Sequence, residues 1–155
     1  SDVGFHFGTK DTALTVADKL KKDGKVNSGD SVYLYAVNLD SVAPMELPEN
    51  RSGTWSVNSI LKAMFEGFSG EPHPAIPDEM VDEYYDDVVT SPSGENIKDL
   101  SFEPTEEMEE FISWFSSLGF DSIKYENTFE GGGASYIVFR TEQIEIVDIK
   151  EYEVP

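Results

Sequence analysis

The sequence predicts an α+β domain, with strand-forming segments toward its two ends and amphipathic helices between them. Two patterns carry that expectation. Residues 120–125 and 144–152 alternate apolar with polar side chains, while 135–139 is aromatic and β-branched, as strands are. Apolar residues recur instead at helical spacing in 10–23, 55–67 and 104–118.

Taken in order, Ser1-Asp2-Val3-Gly4 runs straight into the short aromatic strand Phe5-His6-Phe7, as in a chain trimmed or cut from a longer one. Gly8-Thr9 ends that strand. Thr9 is placed to cap a helix over 10–23, with Asp11 in its first turn and Lys19, Lys21 and Lys22 in its last. Its expected buried stripe is Ala13, Val16, Ala17 and Leu20, and Gly24 stops it. A turn at Asn27-Ser28-Gly29-Asp30 leads into a strand over 31–39, on which Tyr33 and Tyr35 share a face and are expected to be core.

Residues 40–53 read as loop, with Pro44 and Pro48. A helix over 55–67 would bury Ile60, Leu61, Met64 and Phe65, with Phe68 beyond it. The proline-rich run 69–77 is irregular, and 78–89 reads as a short acidic helix with Met80, Val81, Tyr84, Tyr85 and Val88 on it. The section 69–101 as a whole reads as a loosely packed insert within a single domain spanning 1–155. The helix over 104–118 has the stripe Met108, Phe111, Ile112, Phe115 and Leu118, and Gly119 as its stop. In the last strand Ile144 and Ile146 lie one way, with Val147 beside them, and Glu145 and Asp148 the other.

Charge narrows the function classes. Eleven basic residues against 31 acidic give a formal charge of −20, the wrong sign for gripping a phosphate backbone. Direct nucleic-acid binding is therefore not expected, and a protein partner would be basic. No apolar run is long enough to span a bilayer, so no membrane partner is expected. The absence of cysteine removes disulfides and thiol chemistry and fits a reducing compartment. With two histidines, one of them His73 in an exposed-looking proline loop, no zinc set can be assembled. The acids at 78–87 cluster as on a helix and lack the spacing of a calcium loop.

The residues with chemistry to offer lie in two blocks. Gly4-Phe5-His6-Phe7-Gly8-Thr9 precedes a helix. Gly119 to Asn127 is followed by Glu130, the triplet Gly131-Gly132-Gly133 and then Ser135 to Ile144. Taken by themselves, His6 is either a satisfied strand histidine or a ligand contact, and Glu130 either a solvated loop acid or a site carboxylate. The glycine triplet lacks the lysine and following helix of a phosphate loop, and Ser135 has no Asp–His set to activate it.

Together the two blocks, about half the chain, resemble the ADP-ribosyltransferase fold. They are most similar to the compact ADP-ribosyltransferase-like domains of phage and mobile-element proteins, which show the same "HFGT" opening and "SYIVF…QI" ending. The resemblance implies short mixed and antiparallel sheets around a cleft, flanked by helices. It implies mono-ADP-ribosyl transfer from NAD to a protein target, in a host cytoplasm or on a virion. By that resemblance His6, Gly8 and Thr9 would line the cleft from the first block, with Tyr125, Asn127 and Ser135 from the second. Many such transferases carry their decisive glutamate directly before the "YIVF" strand. Here Ser135 stands in that place, so the carboxylate would be Glu130. Two other classes remain open: a catalytically silent virion or protein-binding module on the same fold, and an acidic mimic of nucleic acid that occupies a basic groove.

Overall fold

A computed structural model describes residues 4–49, 55–67, 70–100 and 105–155, with side chains from Met108 onward in the last segment. Among these residues, six strands form two sheets and four α-helices accompany them. The α+β expectation holds.

The larger sheet has the order β1-β5-β4-β3, from β1 (Phe5–Phe7), β5 (Ala134–Val138), β4 (Ser122–Glu126) and β3 (Pro44–Glu46). All pairs are antiparallel except β3 with β4. Met45, Ile123 and Ile137 stand opposite one another across three strands and are fully buried. Two helices contribute to the same core. In α2 (Val57–Phe65), Ser56 caps the first turn by accepting from Ser59 N, and Val57, Ile60, Leu61, Met64 and Phe65 are all buried. From α4 (Thr105–Ser117), Phe111 and Phe115 set their rings 6.4 and 5.1 Å from Phe139, edge to face.

Several expectations change. The β3 segment reads as loop because it is three residues long and begins with proline, which only a strand end or edge tolerates. Asp121 fixes it in place: its carboxylate accepts from Val42 N at 2.8 Å and Ala43 N at 3.0 Å, and its own N–H donates to Ala43 O. The described part of section 69–101, residues 70–100, is not loosely packed. Ile76, Tyr84, Val89, Ile97 and Leu100 all enter the core, and Tyr84 from α3 (Asp78–Tyr85) stacks flat on Phe65 at 4.2 Å. His73 is half-buried rather than merely exposed. Its Nδ1 accepts from Ala75 N, its ring meets Phe120 edge-on, and burial pulls its pKa down despite the nearby Glu46 carboxylate. Phe68 and Pro104 lie outside the described residues.

The second sheet is a two-stranded antiparallel ribbon of β2 (Ser31–Leu39) and β6 (Ile144–Glu153). Asp148 pairs with Ala36 but Ile146 with Val37, so Val147 is an extra residue in a bulge. Tyr33 and Tyr35 are exposed, not core. In α1 (Lys10–Lys22) only Thr12 is buried; Val16 of the expected stripe is exposed, so this helix lies on the surface by one edge.

Gln143 joins the two sheets where the chain passes from β5 to β6. Its Oε1 accepts from Phe139 N and Arg140 N, and its Nε2 donates to Asp40 O and Asp121 O.

Candidate functional site

The sheet register decides which candidate residues share a surface. Side chains opposite one another in an antiparallel pair point the same way, as do alternate residues along a strand. His6 is opposite Ile137, which is opposite Ile123; Tyr125 is opposite Ser135. Continuing β1 by one residue brings Gly8 level with Ser135. Gly8, Ser135 and Tyr125 thus form one row across three strands, and His6 lies in the next row on the same face.

The row is closely packed at Gly8. A Cβ there would lie 2.9 Å from Ser135 Oγ, closer than real Cβ atoms come, and 3.0 Å from Thr12 Cγ2, tighter than most such contacts. Glycine at position 8 is therefore what allows α1 to start so near β5. Thr9 caps that helix as expected, accepting from Thr12 N at 3.1 Å.

Beyond β4 the chain turns through 127–133. Asn127 anchors the turn three ways: its N–H donates to Gly133 O, its carbonyl accepts from Gly132 N, and its Nδ2 donates to Ser135 Oγ at 3.2 Å. Gly131, Gly132 and Gly133 all have positive φ, and at Gly133 a Cβ would also strike Thr9 Cγ2 at 2.9 Å. Thr12 Oγ1 donates to Gly132 O at 3.3 Å, so the turn lies directly on the first helix. On its other side Glu49 accepts from Thr128 Oγ1 at 2.5 Å and from Phe129 N at 3.1 Å. The two sequence blocks are in contact.

Tyr125 is buried against Trp55, ring centroids 4.6 Å apart, and its hydroxyl is bonded to that of Ser135. Burial raises its pKa. The carboxylates of Glu130 and Glu49 push the same way, and the hydrogen bonds to Ser135 and Trp55 offset part of the rise. Glu130 is half-exposed, close enough to Tyr125 to act on its ionisation, and makes no hydrogen bond or ion pair among the described residues. Asn127 and Ser135 are buried at 6% and 3% exposure, whereas His6 is exposed on the edge strand. No group of three potential metal ligands occurs among the described residues.

A cavity of about 320 Å³ opens on the other side of Gly8 and Thr9. Phe7, Lys10 and Ala13 line it from one side, and Leu34, Ala36, Asp148 and Lys150 of the ribbon from the other. Of the candidate residues only Gly8 and Thr9 reach it; His6, Tyr125, Asn127, Glu130 and Ser135 do not.

Comparison of the chain with family models, with curated proteins and with solved structures finds no match. The site is therefore argued from its own atoms.

Sequence reasoning missed three residues here. Thr12 sits one position before the apolar stripe assigned to its helix, and its N3 spacing from Thr9 was the available signal. Glu49 lies in a proline-flanked loop with no pattern to single it out. Trp55 reads as core and is core, but its contact with Tyr125 depends on chain crossings far apart in sequence.

Proposed function

We propose that this domain transfers a single ADP-ribosyl group from NAD to a protein target, on an ADP-ribosyltransferase-type fold. The observation that carries the reading is the shared face of His6, Gly8, Ser135 and Tyr125, with the Glu130 carboxylate, unpaired among the described residues, beside Tyr125. The two blocks that carry the sequence resemblance are the blocks that touch.

The residues fit NAD as substrate in part. Glu130 has a carboxylate uncommitted among the described residues, and His6 is exposed on the same sheet face. NAD supplies a glycosidic bond whose cleavage leaves positive charge on the ribose as nicotinamide departs with the bonding pair. Glu130 would stabilise that charge, an electrostatic effect that grows where water is excluded. His6, Gly8 and Thr9 would orient the nicotinamide half. Asn127 would hold the turn that presents Glu130. The acceptor would be a basic protein drawn by the acidic field, in the phage or mobile-element setting that the resemblance suggests.

A second reading has its own support. Ser135, where related transferases carry glutamate, is buried and its hydroxyl is already engaged by Asn127 and Tyr125. A catalytically silent protein-binding or virion module would tolerate such closure. Calorimetric titration with NAD, followed by labelled-NAD transfer to lysate protein, separates the two. Transfer that is lost in Glu130→Gln while NAD binding persists supports the enzyme. No NAD binding by the wild-type chain leaves the silent module.

A further inference from the structure

We infer that the outer face of the β2–β6 ribbon docks an apolar segment of a protein partner that carries arginine. The register assembles the face. Tyr33 is opposite Glu151, Tyr35 opposite Ile149, Val37 opposite Ile146, and Leu39 opposite Ile144, so these side chains stand on one side of the ribbon. The cavity against α1 takes Leu34 and Ala36 from the opposite side and also reaches Tyr35 and Val37. Much of the outer side is uncovered: Tyr33 is 59% exposed, Tyr35 51%, Ile146 55% and Ile149 51%, while Val37, Leu39 and Ile144 are half-buried. Single exposed apolar side chains are ordinary, but a contiguous ladder of them marks a contact surface. From Tyr33 to the Val37–Ile146 pair it runs about 13 Å at the rise of an extended strand.

Charge selects the occupant. The paired positions of this face hold no basic residue, and its Tyr33 end carries Glu151 and, opposite Ser31, Glu153. Glu151 Oε1 accepts from Ser31 Oγ at 2.6 Å, which steadies its carboxylate and leaves the second oxygen for a partner. Two tyrosine rings beside two carboxylates match a guanidinium, which can lie on an aromatic face while donating to an acid. A second copy of this chain fits poorly, since each copy brings a charge of −20 and no cation on the face. The inference does not rest on NAD chemistry, because it uses no residue of the Gly8–Ser135–Tyr125 row.

The test is fluorescence anisotropy of a dye-labelled peptide that alternates arginine with leucine and valine, read at low and at physiological salt. Wild type should bind, and Tyr33→Ser with Tyr35→Ser should weaken binding by about tenfold or more, as loss of interface aromatics does. Ile149→Lys, which sets a cation against the arginines, should do the same and serves if the tyrosine variant proves misfolded by circular dichroism. Neutralising Asp78, Asp82 and Glu83 on α3 should change affinity by less than about twofold, the remainder of long-range attraction after screening. The inference is overturned if the peptide does not bind, if the α3 variant weakens binding as much as the ribbon variants, or if sedimentation shows the ribbon face buried in a dimer that those variants dissociate.

Discussion

Gly8→Ala tests the contact on which the two sequence blocks meet. The added methyl would sit 2.9 Å from Ser135 Oγ, 3.0 Å from Thr12 Cγ2 and 3.2 Å from Thr12 Cβ. Neither neighbour is free to withdraw: Ser135 is held by Asn127 and Tyr125, and Thr12 by Thr9 and Gly132. Overpacking of this kind costs about 1–3 kcal/mol. For a chain of 155 residues that lowers the melting temperature by roughly 2–4 °C per kcal/mol. Ser135→Ala alone also destabilises, by about 1–3 kcal/mol, because Asn127 Nδ2 loses its acceptor in a buried place. The two changes should not add. With the hydroxyl gone, the tightest of the three contacts disappears, and urea denaturation of the double variant should show about 1 kcal/mol less loss than the sum of the singles. Strict additivity, or a Gly8→Ala chain as stable as wild type, would refute the close approach of α1 to β5.

Asn127→Ala should loosen the 127–133 turn at a cost of about 1–3 kcal/mol, seen as faster hydrogen exchange at the Gly132 and Gly133 amides. Asp121 is opposed by burial, but the Ser122 hydroxyl and the N–H groups of Val42 and Ala43 outweigh it and hold its carboxyl below the ordinary range. Its contribution is therefore full above the unfolded value near pH ~4 and is lost as pH falls through the lower folded value. The stability gap between wild type and Asp121→Asn, measured by urea midpoint, should close across that acid window; a gap independent of pH would contradict the assignment. Tyr84 runs the other way. Burial, aided by Glu66, pushes its pKa up to about 12, so the stability it confers is intact below pH ~10 and is lost as pH climbs toward the folded value. Tyr84→Phe should flatten the alkaline limb of the unfolding curve.

Legibility in the sequence followed how local each cause is. The Thr9 and Ser56 caps, the glycine stops and the α2 stripe depend on neighbours within a turn or two, and α1, α2 and α4 lie where the pattern puts them. The strand β6 was readable but its irregularity was not: alternation set Val147 beside Ile144 and Ile146, and only the pairing with β2 shows it as the bulge. Tyr33 and Tyr35 were misjudged because alternation says which residues share a face, not which face is covered. The compact packing of 69–101 was hidden for a related reason. Ile76, Val89 and Ile97 are isolated apolar residues among prolines and acids, and only the assembled fold brings them to one core. At the candidate site, single positions were visible from composition, but the row that Gly8, Ser135 and Tyr125 form required strand register, which no single segment encodes.

The fourfold use of Gln143 sets a chemical limit on this architecture. Its amide spends both acceptor sites and both donor hydrogens on backbone groups at the strand ends of both sheets. Deamidation would keep the shape and volume of the side chain, yet turn its two donations into a carboxylate facing the carbonyls of Asp40 and Asp121. The seam between the sheets would then fail by ageing of one amide, with every hydrophobic contact still in place.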